Sequence, residues 1–147
     1  MILLPACILC GAGQLQTTDQ EPIQRPLCQI IREPDNYNGK LVQFRASIES
    51  GQEDLPSGVA DDSCAADVPF FSPDDKQLDR LLKDKEFRKL LKEVKRNPFV
   101  DATVTGWFLS GASAKPRPGQ RPGPKLILES VSNVKVRKLN LRGSGKS

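Results

Sequence analysis

The residues best suited to touching a ligand gather in the C-terminal third of the chain. Trp107 is the only tryptophan, and it falls on the polar side of an alternating stretch. A Pro/Gly-rich segment follows it and carries Lys115, Arg117, Arg121 and Lys125. Four cations at this spacing can track phosphates, and an outward indole gives a base or sugar ring a face to stack on. Aromatic residues make up only 5% of the chain. Single-strand binders present several stacking rings, so the pattern favours a solvated, proline-extended loop over a nucleic-acid interface.

Other chemistry is narrowed by what is missing. The chain has no histidine. That removes the usual general base, the commonest metal ligand and the physiological pH switch. Ser-His-Asp and Cys-His nucleophiles cannot be built from this chain alone. Asp54, Asp61, Asp62 and Asp67 suggest calcium, but their spacing does not follow the EF-hand loop. No two carboxylates are singled out for glycosidic acid–base work. The expectation is no catalytic residue, no metal and no cofactor.

Four cysteines divide into two pairs. Cys7 and Cys10 lie in the apolar, uncharged run MILLPACILCGAG. A run of about a dozen apolar residues is too short to span a bilayer and suits a signal-peptide core. Small residues at Gly11 and Gly13 suit a cleavage site, with Gln14 as the first mature residue. The run lacks a basic n-region, and a hydrophobic strand of a cytoplasmic protein is the alternative. Lipidation at Cys7 is a further alternative, against which stand Pro5 and the apolar sequence beyond Cys7. Once the leader is removed, Cys28 and Cys64 remain, and an even pair in an oxidising compartment reads as one disulfide. Two buried free thiols are the competing reading. Export to the periplasm or the cell exterior is expected, with no transmembrane segment in the mature chain.

Charge is unevenly spread. Residues 1–73 carry four Lys/Arg against ten Asp/Glu, residues 74–114 nine against seven, and residues 115–147 nine against Glu129 alone. The basic end could face an anionic partner, or it could be a solvated loop and tail. The cations between Lys83 and Arg96 are interleaved with Asp84, Glu86 and Glu93, which reads as a solvated helix face.

The elements that must position these residues follow from periodicity. Residues 14–25 are polar and read as a flexible spacer. Leu27, Ile30 and Ile31 follow a helical stripe from Pro26 to Glu33, stopped by Pro34; residues 34–39 then read as a turn. Val42, Phe44, Ala46 and Ile48 alternate with polar residues as a half-buried strand over 41–49. A short strand is expected near Leu55 or Val59, and another from Ala65 to Phe71. Ser72-Pro73-Asp74-Asp75 opens a helix that runs to Arg96. Its apolar stripe switches sides between Leu78, Leu81, Leu82 and Phe87, Leu90, Leu91, Val94, so a kink or a split is expected near Asp84. Phe99 to Leu109 is the clearest strand, with Val100, Ala102, Val104, Gly106 and Phe108 on one face. Lys125 to Val131 and Val134 to Leu139 read as two strands or one bent strand. Residues 141–147 read as a disordered basic tail.

A helix between the third and fourth of five strands is the order of the OB-fold, a five-stranded Greek-key barrel. The Cys-bearing helix, Pro34-Asp35-Asn36-Tyr37-Asn38-Gly39-Lys40, the second cysteine in Asp61-Asp62-Ser63-Cys64, and Val104-Thr105-Gly106-Trp107-Phe108 carry a closer likeness. From Leu27 to Val136 the chain resembles small exported bacterial domains of OB-fold-like type. The resemblance implies a single mostly β domain over residues 26–140, with a short N-terminal helix and a longer kinked or split one, and it implies no catalytic residues. The expected function is a non-enzymatic exported binding or structural module for a protein or envelope component. The alternative is an oligonucleotide or oligosaccharide binder using Trp107 and Lys115, Arg117, Arg121 and Lys125. An unrecognised hydrolase is third.

Overall fold

The computed structural model describes residues 20–72, 74–111, 118 and 123–138. The leader, residues 14–19 of the spacer, Lys115, Arg117, Arg121 and the 141–147 tail lie outside the described residues.

The chain is mostly β. Its elements in order are β1 (Ile23–Gln24), α1 (Leu27–Arg32), α2 (Pro34–Tyr37), β2 (Lys40–Ser50), a turn of 3-10 helix (Gln52–Asp54), β3 (Pro56–Asp61), β4 (Ala66–Pro69), α3 (Asp75–Lys83), α4 (Lys85–Val94), β5 (Val100–Leu109) and β6 (Lys125–Val136). The sheet order is β4-β3-β2-β5-β6, all antiparallel, and β1 pairs in parallel with β2. Six strands therefore replace the expected five. The extra one lies in the segment read as a spacer: Ile23 and Gln24 pair with Val42 and Gln43. A two-residue strand leaves no alternation to read, and it forms on a stretch of the β2 edge that no other described strand pairs with.

β2 serves two neighbours. Lys40 to Ile48 pair with β5, while Ser47 to Ser50 pair with β3. At the far end, Phe70 and Leu126 make a single parallel bridge, and the Phe71 N–H donates to the Leu126 carbonyl at 2.9 Å. Alternation decides the faces. Val42, Phe44, Ala46 and Ile48 of β2 are buried, as are Val100, Ala102, Val104 and Phe108 of β5. With Leu27 and Ile30 of α1, Val59, Val68, Leu126, Leu128 and Val131 they make one core.

The expected helix is split at Asp84. Its backbone is extended there (φ −77°, ψ 131°), and the residue serves both helices. Its N–H donates to the Leu81 carbonyl at 2.9 Å, closing α3. Its carboxylate accepts the Phe87 N–H at 2.9 Å, opening α4. The break re-aims the chain, so Leu81 and the Phe87/Leu90/Val94 stripe both reach the core although one straight helix would hold them apart. The start of α3 falls later than expected. Asp74, not Ser72, is the cap: its carboxylate accepts the Gln77 N–H at 2.9 Å, while the Ser72 hydroxyl donates to the Asp74 carbonyl. A carboxylate at this place also complements the helix dipole. Residues 34–37 form a helical turn, α2, in place of an open turn, and it buries Tyr37.

β6 is one strand, bent by two register shifts against β5. At one of them Thr105 faces Ser130 and Gly106 faces Leu128, so Glu129 is the additional residue. A β-carbon on Gly106 would lie 2.6 Å from the Ile127 carbonyl oxygen, so only glycine lets the strands approach this closely. Among the described residues no helix is long and apolar enough to cross a membrane.

Candidate functional site

Trp107 stands half-buried on the outer face of β5. Its cross-strand neighbours are Leu41 on β2 and Ile127 on β6. Its indole Nε1 donates to Glu129 Oε1 at 3.0 Å. The other oxygen of Glu129 accepts from Arg80 of α3 at 2.8 Å. The β-bulge supplies the reach, because an extra residue turns a side chain away from strict alternation. The ring is therefore tied at its edge to a carboxylate that is itself tied to a helix.

Lys125 opens the same strand and shares a face with Ile127. Its Nζ lies 5.4 Å from the centre of the Phe71 ring, a cation–π distance. Of the cations and the indole singled out in the sequence, the described structure thus brings Trp107 and Lys125 to one hairpin face. Arg80 and Glu129 join them, and neither stands out in the sequence as a site residue. The signal for Glu129 was present, as the only acid among the nine cations of residues 115–147. Its partner on α3 is 49 residues away and no local pattern names it.

Beside this triad, Asp74, Lys76, Gln77, Arg80, Ile127 and Glu129 line a cleft of about 340 Å³. Gln77 reaches inward and donates from Nε2 to the Leu128 carbonyl, while its buried Oε1 has no partner among the described residues. On its other side Phe70, Phe71, Leu78, Leu81 and Phe87 border an apolar hollow of about 220 Å³.

Further along the outer face the chemistry is ionic. Arg137 donates to both oxygens of Asp101, at 3.2 and 2.8 Å, and to the Ser47 hydroxyl at 2.7 Å. Ser47 also hydrogen-bonds Asp101, at 2.8 Å. Partial burial pushes the Asp101 carboxyl up. The hydrogen bonds from Arg137 and Ser47 and the charges of Arg137 and Arg45 outweigh it, holding the group below the usual carboxylate range. Two adjoining clefts, of about 440 and 460 Å³, share Arg45 and Asp61 on this side. Glu49 is raised, first by burial and then by the hydrogen bond and charge of Asp67. The two acids come together over β3, where Gly58 and Ala60 present almost no side chain.

Cys28 and Cys64 are the expected pair: their sulfurs lie at bonding distance, 2.02 Å. The bridge ties α1 to the turn between β3 and β4. Asp61 lies within 4.8 Å of both sulfurs, but a disulfide leaves no thiolate for a metal. Of the four acids that suggest calcium, the Asp54 side chain lies outside the described residues, and the other three turn to different partners. Asp61 accepts the Ser63 N–H and hydroxyl, Asp62 faces Arg137 at 3.4 Å, and Asp67 meets Glu49. Compared with family models, curated proteins and solved structures, the chain matches none.

Proposed function

We propose that the chain is an exported binding module, a disulfide-braced, OB-fold-like barrel that holds a ligand on its outer face and performs no reaction. The strand order carries this reading. With β1 set aside as an added edge, the pairing runs β4-β3-β2-β5-β6, and the Phe70–Leu126 bridge leads β4 back toward β6 in parallel. In chain order α3 and α4 fall between β4 and β5, the third and fourth of these five strands, while α1 and α2 precede the first. This order supports a reading as the five-stranded Greek-key barrel, a frequent carrier of binding surfaces. It agrees with the resemblance to small exported bacterial OB-fold-like domains.

The Cys28–Cys64 bridge supports an oxidising compartment, since disulfides persist outside the reducing cytoplasm. The partner on this reading is a protein or an envelope component. Glu129 beside Trp107 weighs against a polyanion, because it engages the Arg80 guanidinium that a phosphate at the indole would need.

Chemical-shift mapping tests the proposal. Isotope-labelled, oxidised mature chain is titrated with soluble envelope glycan digests, envelope peptides and a single-stranded oligonucleotide. Saturable shifts confined to outer-face residues of β2, β5 and β6 are expected. Shifts in none of the three titrations, or cleavage of a titrant during the experiment, would refute it.

A further inference from the structure

We infer that the cleft between α3 and the outer face of β6, whose apolar wall is Ile127, takes a neutral, polyhydroxylated ligand, a saccharide unit, that reaches from the cleft onto the neighbouring Trp107. The inference rests on the binding-module reading and names the ligand class for it.

The first argument is charge. Asp74 and Glu129 are balanced by Lys76 and Arg80 around the cleft. A site without net charge does not draw in phosphate or any other polyanion. The second is hydrogen-bonding pattern. Lys76 and Arg80 can only donate, the carboxylates of Asp74 and Glu129 accept, and a sugar hydroxyl does both. Among the described residues each Glu129 oxygen has one side-chain partner, Trp107 or Arg80, and a carboxylate oxygen with one partner can accept a second hydrogen bond from a ligand hydroxyl.

The third argument is preorganisation. Trp107 is fixed at its edge by Glu129, and Glu129 is fixed by Arg80. Ile127, directly across from Trp107 in the ladder, extends the apolar surface to the cleft. A ring held in this way loses little freedom when a ligand stacks on it. The carbon-bound face of a pyranose is the surface that suits an indole, and its rim hydroxyls suit the charged groups around it. The volume of about 340 Å³ falls within the range of small-molecule sites.

The chain's single tryptophan makes the test direct, because its emission reports this place alone. Oxidised protein is titrated with chito-, malto- and cello-oligosaccharides, and separately with an oligothymidylate. A saturable change in Trp107 emission is expected with at least one saccharide series, unaffected by salt. Glu129→Gln and Arg80→Ala, each confirmed folded by circular dichroism, are expected to weaken that binding by about tenfold or more. Absence of a saturable change with every saccharide, or unchanged affinity in both variants, overturns the assignment. A response to the oligothymidylate alone also overturns it, yet leaves a binding module with a different ligand.

Discussion

Replacing Cys28 and Cys64 together removes one covalent link and little else, so its effect can be worked out in advance. The two residues are 36 apart in sequence. In the chain-entropy model, releasing a loop of that length restores conformational freedom to the unfolded chain and costs about 4 kcal/mol of stability. For a domain of this size that lowers the melting temperature by roughly 15–20 °C. The packing side of the change is small. Cys64 is exposed, and Cys28, buried at the base of α1, loses only a sulfur. A Cys28→Ala/Cys64→Ala chain and a Cys28→Ser/Cys64→Ser chain should therefore lose similar amounts. Urea unfolding of the oxidised protein and both double variants is the assay. The variants should show a lower midpoint and a steeper dependence on urea, because the unlinked unfolded state exposes more surface. A loss below about 1 kcal/mol, with two titratable thiols in the unreduced parent, would refute both the bridge and the reasoning from it.

Four smaller perturbations test other parts of the structure. Gly106→Ala should destabilise by about 1–3 kcal/mol in thermal unfolding, because its methyl meets the Ile127 carbonyl oxygen at 2.6 Å. Leu90→Ala, at a position with no exposed surface, should cost about 2–5 kcal/mol by the same measurement. Asp101 has a lowered pKa, so its stabilising effect is present above the ordinary carboxylate value and is lost as pH falls through the lower folded value; Asp101→Asn should flatten that acid limb in a stability–pH profile. Glu49 has a raised pKa, so the sign reverses: the stability it contributes is present below its ordinary value and is lost as pH rises through the folded one. Glu49→Gln should therefore be the more stable form at neutral pH, as a shift in urea midpoint would show.

Much of this architecture can be read locally. Period-two alternation in 41–49 and 99–109 selects the buried faces of β2 and β5, because a half-buried strand must alternate. The switch of apolar stripe near Asp84 announces the break between α3 and α4, since one straight helix could not bury Leu81 together with Phe87, Leu90 and Val94, although Leu78 and Leu82 of the first stripe stay exposed. Cysteine parity picks out Cys28 and Cys64 as partners. Other features depend on chain segments far apart in sequence. β1 exists because folding leaves an open edge on β2 beside Ile23. Glu129 meets Trp107 because a bulge, permitted by a glycine on the neighbouring strand, turns its carboxylate, and Arg80 arrives from a helix 49 residues earlier. Composition and periodicity act over a few residues and determine which surfaces are buried. Only the tertiary structure decides which polar groups meet on the surface left outside, because pairing register and close backbone approach are properties of two segments at once.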